Sequence, residues 1–248
     1  MTAVLIMEYI LSQKQNKNDL PKNGVVIKSI VSSNMADAVA KEYNIEIQDV
    51  LTGFKYIGEK IEEYESTGKY KYLFGFEESY GCLVGTHARD KDAIVAVMTL
   101  CEAATYYKSK GLTLWDQMIN LYEKYGYYKE DIFSITLEGA EGLEKIQESM
   151  SKIRKEEIKK IGDFNVEKIR DYQKEEVKDL INGKIKATGL PKSNVLYYEL
   201  VDDAWFCIRP SGTEPKIKFY IGIKGKNMND AENKIKRLKE NILELNII

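Results

Sequence analysis

YKYLFGFEESYG, residues 70–81, joins a short apolar run at 70–74 to a glycine-flanked loop carrying Glu77, Glu78 and Ser79. Such a run reads as a buried strand, and loops beyond the carboxyl ends of strands are where open α/β sheets collect ligands. Two carboxylates and a hydroxyl there suit vicinal sugar hydroxyls, and Gly75 and Gly81 allow a tight turn and close backbone approach. A plain polar turn would account for the same residues.

Outward from that loop, residues 24–126 alternate apolar strands (25–31, 45–50 and 70–74) with helical patterns at 34–43, 54–64, 93–108 and 114–125. This is the pattern of an α/β layer with a largely parallel sheet. Ser33 or Asn34 can cap the first of these helices, whose Ala36, Val39, Ala40 and Tyr43 recur at helical spacing. Parallel strands bring the loops 32–34, 51–54 and 75–91 to one edge, and with them Thr52 and Gly53. Asp90 and Asp92 precede an apolar helix; two aspartates at a helix start are caps more often than metal ligands.

The first residues, MTAVLIMEYIL, are apolar enough for a helix but lack a basic lead or a small-residue cleavage site, which excludes a signal peptide and a membrane span. They read as the end of a preceding domain, with residues 12–23 as a linker. The apolar stripe at 3–11 is expected to lie uncovered and to seek a partner or a second copy.

Beyond residue 126 the character changes. An extended connector (131–137) and a long charged helix (139–161) lead to strands at 166–172, 195–200, 205–209 and 216–222 and a helix at 229–245. This predicts an α+β domain with an antiparallel sheet, 127–248, containing a hairpin that turns at Asp202 and Asp203. A second loop, RPSGTEPK at 209–216, joins two of its strands. Arg209 offers a planar fork of donors, Ser211 and Thr213 offer hydroxyls, Gly212 leaves its N–H open, and Pro210 and Pro215 stiffen the ends. Donors outnumber the single opposing Glu214, which favours phosphate over an ordinary turn.

The 248 residues exceed one typical domain and fit two. Lys+Arg 37 against Asp+Glu 39 leaves a formal charge of −2, so the total implies no nucleic-acid or membrane surface. Three cysteines without CxxC spacing imply neither a disulfide framework nor a zinc site, and fit a reducing cytoplasm.

GFEESYG with RDKD at 89–92, TGFKYIGEK at 52–60 and RPSGTEPKIKFY at 209–220 together resemble the α-D-phosphohexomutases, the phosphoglucomutase/phosphomannomutase family, in its GFEES rather than GEMSGH form. The resemblance implies that 24–126 is that family's third domain, 127–248 its fourth, and MTAVLIMEYIL the helix ending its second. It further implies that Glu77 and Ser79 bind sugar hydroxyls, that Thr52 and Gly53 line the same pocket, and that Arg209, Ser211, Gly212 and Thr213 grip the phosphate not being transferred. Lys91, with His87 nearby, falls where relatives place a basic residue close to the reacting groups, so both are catalytic candidates.

The family's phosphoserine loop and its Asp-Gly-Asp magnesium loop have no counterpart here. The chain is therefore expected to bind neither cofactor by itself and to turn over nothing alone, with Mg2+ and a hexose bisphosphate activator belonging to the complete enzyme. A cut chain, a split gene whose partner supplies the first half, and a degenerate product all remain open, as does a sugar-phosphate binding module without turnover. A glycosidase using Glu77 and Glu78 is disfavoured, because neighbouring side chains on an extended segment point apart.

Overall fold

Every residue of β1 (Gly24–Ser29) is buried, and it lies inside a sheet of order β2-β1-β3-β4, formed with β2 (Glu46–Val50), β3 (Lys71–Phe76) and β4 (Cys82–Val84). The structure is a computed structural model that describes residues 1–248 apart from Glu138, Thr213, Asn246 and Ile248 and the side chain of Ala140. The chain divides into two units, Met1–Gly126 and Tyr127–Ile248.

In the first unit β1, β2 and β3 are parallel and β4 turns back antiparallel to β3. Helices α1 (Thr2–Asn16), α2 (Met35–Glu42), α3 (Phe54–Thr67), α4 (Ala93–Ser109) and α5 (Leu114–Tyr125) surround the sheet. Phe54, Ile57, Ile61 and Tyr64 recur every three or four residues, so α3 presents one apolar stripe to Val25, Ile27 and Leu83. Each such side chain contributes about 1.5–3 kcal/mol by burial, and Ile57→Ala would cost about 2–5 kcal/mol through the cavity it leaves. Gly68, at φ 67°, ends α3 in the left-handed region that glycine adopts without strain.

The helix expected to close a preceding domain belongs to this unit instead. Residues 4–11 of α1 are all buried, including Glu8, whose carboxylate accepts hydrogen bonds from Tyr43 (2.9 Å), Tyr107 (2.8 Å) and Gln117 (3.4 Å). A helix apolar on all sides belongs inside a core, and three donors, from the residue that ends α2 and from α4 and α5, offset the cost of burying its carboxylate. The 3–11 stripe is thus covered by the unit itself. The open apolar face is on α4, where Ile94 (73% exposed), Val97 and Met98 face outward.

The second unit is an eight-stranded sheet. Its strands are β5 (Tyr127–Thr136), β6 (Lys160–Ile161), β7 (Phe164–Asp171), β8 (Glu176–Asp179), β9 (Ile185–Ala187), β10 (Leu196–Leu200), β11 (Trp205–Pro210) and β12 (Lys216–Gly225). They run β5-β12-β11-β10-β7-β8-β9 with antiparallel neighbours, and β6 pairs β7 beside this path. Helices α6 (Gly139–Glu156) and α7 (Met228–Glu244) cover one face with Ile146, Met150, Ile153, Ile235, Leu238 and Ile242.

Two sequence expectations change here. The connector at 131–137 is the latter part of β5, a full strand paired along β12 from Tyr127 to Thr136. The charged helix stops at Glu156, because Glu157 (φ 46°) and Gly162 (φ 55°) are left-handed and Ile161 pairs with Phe164 across a tight turn. Asp202 and Asp203, at φ 61° and 58°, form the expected β10–β11 turn. On the face away from the helices Trp205 stacks on Tyr197, with ring centres 5.3 Å apart, and lies directly over Gly222, where an added Cβ would come 2.3 Å from the indole.

Candidate functional site

The acidic loop is the turn of the β3–β4 hairpin. Phe76 pairs with Cys82, the Glu77 N–H donates to the Gly81 carbonyl at 2.8 Å, and Tyr80 takes a left-handed φ of 62°. Glu77 is 8% exposed; its Oε1 accepts from Ser79 Oγ at 2.8 Å and lies 3.9 Å from Lys91 Nζ. Only glycine fits at 81 without disturbing this pair, since a Cβ there would meet Lys91 Cδ at 2.8 Å and Glu77 Oε1 at 2.9 Å. The Lys91 ammonium also lies 5.8 Å from the Phe54 ring centre. Gly53 caps α3 at φ 120°, next to Phe54, so the Thr52-Gly53 loop leads to the same edge.

Within hydrogen-bonding reach the structure brings together Glu77 and Ser79, with Lys91 just outside it. His87 stands apart: its Nε2 lies 2.9 Å from Asp92 Oδ2, while Asp92 Oδ1 accepts the N–H groups of Ile94 and Val95 and so caps α4. The hydrogen bond from His87, seconded by that of Val95, holds the Asp92 carboxyl below the usual range. Asp90 is held low as well, by the Lys91 N–H and then by the Lys91 ammonium. Arg89 faces α3, paired with Glu62 and Glu65, and Gly58 lets the helix approach because a Cβ there would lie 2.5 Å from the Arg89 carbonyl. Glu78 turns inward and accepts from Ser29 Oγ at 2.7 Å. Sequence reasoning missed Ser29 and Ser32; the only signal was a serine cluster following a strand.

The cationic loop turns the β11–β12 hairpin. The Ser211 N–H donates to the Lys216 carbonyl and the Lys216 N–H to that of Glu214, both at 2.7 Å, and the Leu137 N–H donates to Pro215 at 2.9 Å. Arg209 Nη1 donates to the Tyr220 hydroxyl at 3.4 Å. Gly212 is exposed with nothing within 4 Å of a Cβ position, and Thr213 lies outside the described residues. Arg209 pairs in register with Lys218, which is two residues from Lys216, so three cationic side chains project from one face of the hairpin. Lys218 was missed from sequence although its spacing was legible. Lys216 is partly neutralised by Glu214, 3.2 Å away.

The family model for phosphoglucomutase/phosphomannomutase, alpha/beta/alpha domain III, matches residues 1–125. The phosphoglucomutase of Staphylococcus aureus is 37% identical over 233 residues, 94% of this chain and 41% of the relative. That of Staphylococcus saprophyticus is 37% identical over 224 residues, 89% of this chain and 40% of the relative. The chain belongs to the phosphoglucomutase/phosphomannomutase family.

Solved members of the family share the fold. The Paramecium pp63/parafusin phosphoglucomutase, in an open form, aligns with a TM-score of 0.60 at 18% identity over 96% of this chain and 40% of that one. A putative Thermus thermophilus phosphomannomutase gives 0.56 at 14% identity, with the same coverage. The chain thus spans about two-fifths of the length of the relatives it matches. The match from residue 1 places α1 inside the α/β/α domain, as the packing does. No helix among the described residues is long and apolar enough to cross a membrane. No group of three or more His, Cys, Asp or Glu that could hold a metal ion is found among the described residues.

Proposed function

We propose that this chain binds a hexose phosphate, with the 75–91 region reading the sugar and the 209–216 loop holding the phosphate. In this reading it serves the interconversion of hexose 1-phosphate and hexose 6-phosphate when joined to the remainder of a phosphoglucomutase or phosphomannomutase. The observation that carries the reading is the Glu77–Ser79 pair beside Lys91, on a loop shaped by Gly81. A carboxylate already ordered by a hydroxyl and an ammonium can accept from two sugar hydroxyls with little further loss of freedom. Thr52 and Gly53 line the same edge, and Lys91 takes the place of the basic residue near the reacting groups. His87, tied to Asp92, has a positional role as the simpler assignment. Arg209, Ser211, Gly212 and Thr213 take the phosphate, with Lys216 and Lys218 adding charge.

Turnover needs a phosphoryl donor and a metal to offset developing charge, and no group of three or more His, Cys, Asp or Glu among the chain's described residues could hold a metal. A sugar-phosphate binding module without turnover is the second reading. Calorimetric titration with glucose 1-phosphate, alongside a coupled assay containing glucose 1,6-bisphosphate and magnesium, tests both readings. Binding without turnover is expected from the chain alone. Turnover by the pure chain would refute the incomplete-site argument, and no binding would refute the function.

A further inference from the structure

We propose that Glu78 is a positioning residue, anchored on Ser29, that holds the acidic loop in its sugar-reading shape; this rests on the function proposed above. Adjacent residues of the loop direct their carboxylates to different places. Glu77 joins Ser79 and Lys91, whereas Glu78 folds back beneath the loop and accepts from Ser29 Oγ at 2.7 Å, across 49 residues of sequence. Ser29 Oγ in turn lies 2.9 Å from Ser32 Oγ, and the Ser32 N–H donates to the Ser29 carbonyl at 2.9 Å. Ser29 is 1% exposed and Ser32 is buried with it.

The anchor sits where the unit is most constrained. Ser29 ends β1, an inner strand of the sheet, pairs in register with Val50, and lies one residue past the Lys28–Phe76 pairing that leads into the loop. Its neighbour Lys28 is fully buried and bound to Asp49 (3.1 Å) on β2 and to Asp37 (3.3 Å) on α2. A half-buried glutamate that could have reached water instead spends its side-chain freedom on this contact. The contact fixes the backbone at 78 from inside, and with it the direction in which Glu77 and Ser79 face outward. The pair therefore acts through Glu77 rather than on the ligand.

The test uses the full chain with Ser29→Ala, Glu78→Ala, their double variant and Ser29→Thr, each titrated with glucose 1-phosphate and separately with inorganic phosphate. Losing a hydrogen bond to a charged group is worth about tenfold, so each single variant should bind glucose 1-phosphate about tenfold more weakly. The double variant should lose no more than either single one, and Ser29→Thr should restore binding. Inorganic phosphate, held by the other unit, should bind equally throughout. Losses that add in the double variant, or a loss with Glu78→Ala but none with Ser29→Ala, would mean that Glu78 touches the ligand itself and would overturn the proposal. A parallel loss of both ligands together with thermal stability would reduce the contact to a structural one and overturn it too. If the wild type binds glucose 1-phosphate and every variant binds it equally, this inference alone fails; if the wild type does not bind it, the proposed function fails and this inference with it.

Discussion

The two hairpin turns of this molecule, 77–81 in the first unit and 211–215 in the second, have similar lengths and opposite constructions. The acidic turn is braced from within by Ser79, Lys91 and Ser29, and its Gly81 has no room for a methyl group. The cationic turn is tied through Ser211, Glu214 and Lys216, and a Cβ added at its Gly212 would meet nothing within 4 Å. The difference follows from what each is proposed to recognise. Sugar hydroxyls differ only in direction and demand a fixed set of acceptors, whereas a phosphate presents oxygens on every side and is satisfied by charge and open donors. Discrimination should therefore reside in the rigid turn and affinity in the open one.

The largest effect expected from this contrast is at Arg209. Arg209→Ala should weaken glucose 1-phosphate and inorganic phosphate alike, by about 10- to 100-fold in calorimetric titration, the worth of its charge-assisted hydrogen bonds. A loss confined to the sugar phosphate would erase the division of labour. Glu77→Ala should cost about tenfold for glucose 1-phosphate, leave inorganic phosphate unchanged, and narrow the preference between glucose 1-phosphate and mannose 1-phosphate; an unchanged preference would remove Glu77 from the sugar contact. The two glycines sharpen the comparison further. Gly81→Ala forces the flexible ends of Lys91 and Glu77 aside and should cost about fivefold in sugar-phosphate binding with the fold intact, while Gly212→Ala should stay within about twofold. Equal effects at the two positions would show the turns to be equally loose.

The smallest effect at neutral pH is a difference in how the units tolerate acid and base. Burial alone would raise the Glu199 carboxyl, but Arg170 and Lys168 outweigh it and hold the group below its ordinary value. A depressed carboxyl contributes stability that is present above its unfolded pKa of about 4.3 and lost as pH falls through the folded value. Lys28 is the reverse case: burial would lower it, yet Asp49 and Asp37 outweigh burial and raise it. Its contribution is present below the unfolded value of about 10.4 and lost as pH rises through the folded one. Scanning calorimetry from pH 7 toward 3 should destabilise the second unit through Glu199, an effect that Glu199→Gln removes; an unaltered acid profile in that variant would discard the pairing.

The first unit was largely legible in the sequence, because β1 and β3 are buried along nearly their whole length and the segments around them show clear helical spacing. The exceptions are instructive. The three residues of β4 are too few to show a period, and the place of α1 depends on Tyr43, Tyr107 and Gln117 far along the chain. In the second unit the missed strands are short or polar: β5 carries Lys129, Glu130 and Asp131 in a row, β6 and β8 have two and four residues, and all three residues of β9 are exposed, so none shows a clear apolar alternation. Both loops could be found from their letters. The inward turn of Glu78 and the grip of Asp92 on His87 could not, since each depends on where separate elements end in space.

The packing of Trp205 over Gly222 has a practical outcome. The chain's two tryptophans divide between the units, Trp205 sealed at 2% exposure and Trp115 open to water at 63%. Their fluorescence should accordingly combine a blue-shifted emission from the second unit with a red-shifted one from the first. Loss of the blue component during denaturation would time the melting of the antiparallel sheet separately from that of its neighbour, without any added label.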